Sequence, residues 1–224
     1  MAKQLAWSYS ALTNFETCPY QYYRLKVKKD IKEAPSPQML EGNRVHEALE
    51  HRVAKGRPLP DDLKQWEPMC RKFVDSPLDV RCETEIALTP DLKKTTYFGK
   101  DVWLRAKFDV EVQVTNEWLR IIDYKTGKRK MDSTQLMLFA AVGFAVYPDV
   151  QRIDTAFYWL PDKAVDKETF TRERDEAFIW GEFEPRVIAM ETARENETFP
   201  CNPSGLCRGW CPVRDCEHWE PKKK

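Results

Sequence analysis

The residues Ile121-Ile122-Asp123-Tyr124-Lys125-Thr126-Gly127 place an acid and a lysine two positions apart at the end of an apolar run. Because side chains along a β-strand alternate between its faces, Asp123 and Lys125 are predicted to share one face and Tyr124 to point to the other. A carboxylate can bind a divalent metal, and a neighbouring lysine can orient or help deprotonate a water and offset charge on a phosphate. A surface ion pair at a strand end would give the same pattern, so the neighbouring segments decide between the two.

A second carboxylate comes from the segment 102–112, whose alternation is typical of a strand. The residues predicted to form its single buried face are Phe108, Val110 and Val112. Asp109 is predicted to lie on the opposite face, and antiparallel pairing with a strand over 118–124 would bring it near Asp123. The two carboxylates would then share one metal.

A helix predicted over 39–55 carries His46 as a further candidate ligand. Gly42 lies one turn before His46 on the same face of this helix. Because glycine has no side chain, the helix could approach another backbone closely at that point.

Polar residues on two more elements complete the candidates. The strand predicted over 81–89 carries Glu83 and Glu85. Glu85 could lie near the metal, although solvation at the strand surface is the favoured explanation for it. An apolar helix predicted over 133–147 carries Gln135 in its first turns. A buried amide at this point could bind a phosphate or a base. The alternative is that Gln135 is an exposed residue near the start of the helix.

Four cysteines crowd the end of the chain: Cys201, Cys207, Cys211 and Cys216. The sequence shows no signal peptide and no apolar stretch long enough to cross a membrane, so we expect a cytoplasmic protein, in which clustered cysteines more often bind metal than form disulfides. One four-ligand zinc set would consist of Cys207, Cys211, Cys216 and His218. Cys70 and Cys82 are expected to be small core residues.

Charge is balanced over the 224 residues, with 36 basic and 36 acidic side chains. Attraction to nucleic acid would therefore have to come from local basic patches. The candidate patches are Lys26 to Lys29, Lys93-Lys94, and the run that contains Lys128, Arg129 and Lys130. The last run directly follows the proposed site, where a loop could hold phosphates, and Arg105 is a further candidate for binding DNA.

The pattern of elements predicts an α/β fold, with a central mixed sheet flanked by helices. Predicted helices cover 8–26, 39–55, 61–74, 133–147 and 175–195, and predicted strands cover 81–89, 102–114, 118–124, 153–160 and 167–173. A hydrophobic content of 42% over this length suits a single domain, 1–224. Its expected parts are an N-terminal helical part (1–80), a catalytic core (81–175) and a cysteine-rich tail (201–219) packed against Cys18.

Taken in order, these segments resemble the PD-(D/E)XK nuclease superfamily in its RecB-like branch, with a phage origin as one possibility. The resemblance begins at Ser8 to Tyr23, with Cys18 followed by proline. It continues through Gly42 to His46, Asp109, Asp123 to Lys125, and Gln135. It implies a restriction-endonuclease-like core.

The resemblance also implies roles for individual residues. Manganese or magnesium would be bound by His46, Asp109, Asp123 and the backbone carbonyl of Tyr124. Lys125 would be the catalytic lysine, and Asp123 stands where many relatives have glutamate. Gln135 matches the first position of the branch's Gln-x-x-x-Tyr motif, whose tyrosine is replaced by Phe139.

In iron-sulfur members of this branch, including CRISPR-associated and AddB-type nucleases, one early and three late cysteines hold a [4Fe-4S] cluster. The matching residues are Cys18, Cys207, Cys211 and Cys216, which would supply the four thiolates. Three and then four residues separate the last three cysteines, a departure from the usual spacing that leaves Cys201 as an alternative ligand. Zinc remains the competing occupant.

The resemblance implies a metal-dependent DNA exonuclease (a phosphodiester hydrolase) acting on single-stranded or frayed ends. Its setting would be DNA repair, recombination or phage DNA processing, with a protein partner possible in recombination or CRISPR adaptation. The alternative is a catalytically weak DNA-binding or assembly subunit stabilised by the iron-sulfur cluster. An RNA-directed nuclease is a third reading.

Overall fold

A six-stranded mixed sheet forms the centre of the computed structural model, which describes residues 5–32 and 34–222. Its strands are β1 (Asp79–Leu88), β2 (Lys94–Thr95), β3 (Leu104–Thr115), β4 (Trp118–Lys125), β5 (Arg152–Trp159) and β6 (Ala164–Thr171). Their order across the sheet is β2-β1-β3-β4-β5-β6, with β4 and β5 parallel and all other neighbours antiparallel. The predicted α/β fold class is confirmed.

The helices are α1 (Tyr9–Thr17), α2 (Pro19–Tyr22), α3 (Pro37–Lys55), α4 (Glu67–Val74), α5 (Thr134–Val146) and α6 (Arg172–Glu195). The continuous helix predicted over 8–26 is wrong. Cys18 takes an extended conformation (φ −162°, ψ 109°), because proline disfavours the helical conformation in the residue before it. The chain continues from α2 into a π-helical turn, Tyr23–Val27.

Helices cover both faces of the sheet where the core is deepest. On one face, Val45 and Leu49 of α3 pack with Ile122 and Tyr124 of β4. On the other lies α5, which connects the parallel strands β4 and β5 and is apolar on all sides because it is buried. Tyr124 thus points away from the α5 face, as its place between Asp123 and Lys125 predicts.

The alternation of side chains reverses in the middle of β3. The Phe108 ring lies 5.0 Å from Phe139 of α5, whereas Val110 and Val112 pack on the α3 face. The prediction of one buried face for these three residues is therefore wrong, although all three are buried. The reversal occurs opposite Glu83 of β1, which has a left-handed φ of 55° and interrupts the strand pairing.

The chain divides into two compact units, which we call the sheet unit and the cysteine unit. The sheet unit is Pro35–Gly181, and the cysteine unit consists of the described parts of Met1–Ala34 and Glu182–Lys224. The predicted boundaries at 80 and 175 do not follow this division, because α3 and α4 pack on the sheet. Among the residues described here, no helix combines the length and the apolar character needed to cross a membrane.

Candidate functional site

Asp123, Lys125 and Gln135 form a closed set of polar contacts at the end of β4. Lys125 Nζ lies 2.7 Å from Asp123 Oδ2 and donates a hydrogen bond of 2.8 Å to Gln135 Oε1. The amide of Gln135 donates to Asp123 Oδ1 at 3.4 Å, and the Lys125 ammonium lies over the Phe157 ring, 4.6 Å from its centroid. The lysine is thus held in one position by three neighbours.

Asp109 connects β3 to both β4 and α3. Its Oδ2 accepts a hydrogen bond of 2.7 Å from the backbone N–H of Tyr124 and lies 3.2 Å from His46 Nδ1. The structure therefore brings together the predicted residues His46, Asp109, Asp123, Lys125 and Gln135.

The electrostatics of this group fit a bound cation. Burial, followed by the charge of Asp109, raises the pKa of Asp123 to about 6, although Lys125 and His46 act to lower it. Burial lowers the pKa of His46, but the hydrogen bond and charge of Asp109, with charges from Asp123 and Glu83, outweigh burial and raise it overall. Asp123 Oδ2 is buried, and its close neighbour is the Lys125 ammonium at 2.7 Å, so a bound metal would share this carboxylate with the lysine.

Glu83 lies beside His46 and Asp109 and was not assigned a role from the sequence. One ligand atom from each of His46, Glu83 and Asp109 lies within 4.8 Å of the others. Glu83 also forms an ion pair with Lys107. Glu85, the acid for which a place near the metal was considered, is exposed and lies outside this group.

A wide groove opens beside these residues. Besides the site residues, its lining includes Gln38, Asn43, Glu47, Glu50, Lys107 and Thr126. Its volume of about 680 Å³ lies within the range of typical ligand pockets, about 300–1,000 Å³. A Cβ atom on Gly42 would lie 3.1 Å from Thr126 Oγ1, so the helix approaches a side chain here and not the backbone that we expected.

The four basic residues predicted to bind DNA differ in their surroundings. Arg129 forms an ion pair with Asp166, and Arg105 donates a hydrogen bond of 2.7 Å to the carbonyl of Tyr97. Lys128 and Lys130 are exposed. The structure does not gather these four residues around a common point, and their contact with DNA stays a prediction.

Five cysteines line one small cavity in the cysteine unit: Cys18, Cys201, Cys207, Cys211 and Cys216. The sulfur atoms of Cys201 and Cys216 are 3.7 Å apart. The tail approaches the N-terminal segment here, since Asn202 Nδ2 donates to the carbonyl of Thr17 at 3.0 Å and Arg24 binds the Asp215 carboxylate at 3.0 Å.

Backbone donors point at two of these sulfurs. The N–H of Asn202 lies 3.4 Å from Cys18 Sγ, and the N–H of Ser204 lies 3.5 Å from Cys207 Sγ. Such contacts tune metal-bound thiolates. His218 also lines the cavity, and with Cys201 and Glu217 it forms a second set of donor atoms within 4.8 Å of one another.

The sequence model of the PD-(D/E)XK nuclease superfamily matches residues 6–216. The chain belongs to this superfamily. The assignment confirms the resemblance at the level of the superfamily, and the protein is a nuclease by family. The RecB-like branch and the phage origin stay predictions.

Solved structures of similar fold include a protein from Eubacterium rectale named as a proposed exonuclease. It is 14% identical, with a TM-score of 0.55, and the match covers 100% of this chain and 91% of that one. SSO0001 is 15% identical, with a TM-score of 0.46, and the match covers 97% of this chain and 88% of that one. LHK-Exo in complex with dAMP is 18% identical, with a TM-score of 0.38, and the match covers 88% of this chain and 91% of that one. A search among curated proteins gives no match.

In this PD-(D/E)XK nuclease, two positions of the family pattern face the core. Phe139 stands at the tyrosine position of the Gln-x-x-x-Tyr motif, and its ring is only 3% exposed and packs on Phe108. A hydroxyl contact to DNA is therefore missing at this point. The Tyr124 side chain is buried as well, so only its backbone could reach a metal, and that role stays a prediction.

Proposed function

We propose that the protein is a metal-dependent deoxyribonuclease that acts as an exonuclease on single-stranded or frayed DNA ends. The observation that carries this proposal is the buried Asp123 carboxylate, which lies 2.7 Å from a lysine that Gln135 holds in place and close enough to Asp109 for that second carboxylate to raise its pKa. A buried acid and lysine that lie beside a second carboxylate suit phosphodiester hydrolysis better than a structural ion pair, because an ion pair alone gives no reason for a second acid whose charge opposes ionisation of the first.

The proposed metal is manganese or magnesium, held by Asp109, Asp123 and His46, with Glu83 and the backbone carbonyl of Tyr124 as additional ligands. When bound, the cation supplies a Lewis acid for the scissile phosphate. The residues named here offer mainly oxygen donors, which Mg²⁺ prefers and Mn²⁺ accepts.

The chain's own residues supply the remaining functions. Lys125 places its ammonium where negative charge develops on the phosphate and where the attacking water must be oriented. Gln135 fixes this ammonium through its hydrogen bond of 2.8 Å, so we assign it to positioning and not to direct contact with a base. Asp109 aligns His46 and also ties β3 to β4 through Tyr124 N, which sets the spacing of the two carboxylates.

DNA as the substrate is supported by the superfamily and by the groove that lies beside the site residues. The name of the Eubacterium rectale protein, a proposed exonuclease, adds support for action at strand ends. Net charge is zero, so strand binding would rely on local cations such as the exposed Lys128 and Lys130.

We further propose that four of the five clustered cysteines hold a [4Fe-4S] cluster, with Cys18, Cys207, Cys211 and Cys216 as the preferred set. The backbone N–H groups aimed at Cys18 and Cys207 support thiolates at these positions. The cluster would join the two ends of the chain and serve to hold the fold.

The decisive experiment is digestion of end-labelled DNA in Mn²⁺, in Mg²⁺ and in EDTA. The substrates are a linear single strand, the same strand circularised, a blunt duplex and an RNA of equal length. We expect metal-dependent loss of the linear strand, slower loss of the duplex and persistence of the circle.

Each other outcome excludes part of the proposal. Cleavage of the circle at the same rate would make the protein an endonuclease, and preference for RNA would change the substrate. Binding of DNA with no cleavage in either metal would leave the DNA-binding or assembly subunit as the function.

A further inference from the structure

A turn between β2 and β3 presents an exposed aromatic ring. The Phe98 side chain at this turn is 82% exposed. The turn itself is fixed, because Gly99 N donates to the carbonyl of Thr96 at 2.8 Å and Thr95 Oγ1 contacts the Asp101 carboxylate at 2.9 Å. A Cβ atom on Gly99 would lie 2.7 Å from Asp101 Oδ1 and 3.0 Å from the carbonyl oxygen of Thr96, so a larger residue here would force the turn to shift. The exposure of Phe98 is therefore built into a closed turn.

Arg105 of β3 lies against this aromatic turn. Its guanidinium carbon is 5.6 Å from the centroid of the Tyr97 ring and 5.8 Å from that of Phe98, and the two rings meet edge to face at 5.1 Å. The hydrogen bond from Nε to the carbonyl of Tyr97 holds the guanidinium in place. Arg105 forms no ion pair with a described carboxylate, so its charge is available to a ligand.

The strand that carries Arg105 leads directly to the candidate metal site. Arg105 and Lys107 alternate with buried residues of β3 and so share one face, and Asp109 follows at the point where the alternation reverses. At about 3.4 Å per residue, Arg105 lies roughly 14 Å along the strand from Asp109. Lys107 and Asp109 both line the groove. Along β3, the two cations Arg105 and Lys107 therefore come before Asp109, a proposed metal ligand.

We propose that Tyr97, Phe98 and Arg105 bind one nucleotide of single-stranded DNA next to the cleavage site. The base stacks on the exposed face of Phe98, and the phosphate pairs with Arg105. An aromatic ring and an arginine together form the usual unit of single-strand binding, because every base offers a stacking face. In a duplex the bases are already stacked on each other, so this site selects single strands or frayed ends.

This inference rests on the proposed nuclease function and deepens it, because it assigns the preference for single strands to one turn. The test is fluorescence anisotropy with a labelled oligothymidine of about ten nucleotides, a length within the range that single-strand binding sites occupy. EDTA is present to prevent cleavage, and the full chain is used. A labelled duplex of the same length serves as the second probe.

Phe98→Ala should weaken binding of the single strand by about tenfold or more and leave duplex binding nearly unchanged. Phe98→Trp should retain the affinity, because indole stacks at least as well. The matched control is Phe178→Ala, which removes another ring that is 60% exposed, on α6, and should bind like the wild type. Arg105→Ala should reduce the salt dependence of binding, whereas Phe98→Ala should not.

Binding by Phe98→Ala within about twofold of the wild type would overturn the proposal, as would an equal loss for the duplex. The proposed function is judged by a separate measurement, the cleavage of DNA by the wild type in Mn²⁺. If the wild type fails to cleave but Phe98→Ala still loses single-strand affinity, the nucleotide site stands without the nuclease. If the wild type cleaves and Phe98→Ala binds normally, the nuclease stands without this site.

Discussion

Two sites of the molecule are built in different ways. One is the acid–lysine site of the sheet unit, formed by Asp109, Asp123, Lys125 and Gln135, and the other is the cysteine cluster, the five cysteines that line the cavity of the cysteine unit. The first lies on regular strands and a helix, where Lys125, Gln135 and Asp109 are already held by hydrogen bonds of 2.7–2.8 Å. The second lies on loops around a short 3-10 turn, Gly205–Cys207, where five cysteines line one small cavity. The comparison teaches that hydrogen bonds of the fold itself hold the first site, whereas the second, under the proposed function, depends on a ligand to complete it.

Thiol chemistry reinforces this difference. Burial, followed by the hydrogen bond and charge of Cys216, raises the pKa of Cys201 to about 11, and burial raises the pKa of Cys211. Neighbouring thiols that resist ionisation become thiolates only when a metal compensates their charge. Damage to the acid–lysine site should therefore remove chemistry and leave the fold, while damage to the cysteines should weaken the fold first.

The largest effect is expected from Asp123→Asn. The change removes one ligand charge but keeps the shape of the side chain, so we expect cleavage to fall by roughly a thousandfold or more while the protein stays folded. The measurement is single-turnover cleavage of linear single-stranded DNA in Mn²⁺, with circular dichroism as the control for folding. Cleavage near the wild-type rate would show that the metal site is misassigned.

Cys18→Ser tests the other side of the comparison. If Cys18 and the tail share one cluster, its loss releases a loop of most of the chain, which by loop-closure arguments costs several kcal/mol and lowers the melting temperature by about 10 °C. Iron, sulfide and zinc are quantified in anaerobic preparations, together with the visible absorbance. Cys211→Ser should behave like Cys18→Ser.

The matched control for the cysteine variants is Cys70→Ser, at a buried cysteine of the sheet unit. It should leave the iron content unchanged. If Cys18→Ser kept its full iron content while His218→Ala lost bound metal, a compact zinc site would replace the iron-sulfur cluster.

Lys125→Ala separates the catalytic step from metal binding. We expect a drop in rate of roughly a hundredfold, the scale of a lost transition-state contact, with affinities for Mn²⁺ and DNA changed only modestly. Lys72→Ala, at an exposed lysine of α4, is the matched control and should cleave like the wild type. A loss confined to DNA affinity would make Lys125 a phosphate anchor.

The smallest effect is expected from Gln135→Ala. Because Gln135 acts through Lys125, its loss should lower kcat by about tenfold, the scale of one hydrogen bond to a charged group, and leave KM nearly unchanged. Steady-state cleavage of a linear single strand measures both constants. A rise in KM with kcat retained would support direct binding of a phosphate or base by the amide.

Much of the candidate site could be predicted from the sequence because its chemistry follows strand periodicity. The shared face of Asp123 and Lys125 and the inward direction of Tyr124 need only the period of two and a short apolar run. The break at Cys18 could also have been found, since the residue before a proline rarely continues a helix. Such local rules act within a few residues.

The parts that sequence reasoning missed arise from tertiary structure. Glu83 lies in the site because the alternation of side chains between the two faces of the sheet reverses at facing positions of β1 and β3. The sequence of neither strand alone reveals this reversal. The pairing of Arg129 with Asp166 joins residues on different elements, and no periodic signal reports it. The apolar alternation around Phe108 even suggested a single face, since burial on both faces of a sheet gives the same composition.

The central claim is that Asp109 and Asp123 hold one metal ion that cleavage requires. Mn²⁺ titration followed by electron paramagnetic resonance of the free ion tests it most directly, applied to the wild type, Asp109→Asn, Asp123→Asn and Lys125→Ala. We predict one tight Mn²⁺ site in the wild type and in Lys125→Ala, and its loss in both aspartate variants. Tight Mn²⁺ binding retained by either aspartate variant would contradict the claim.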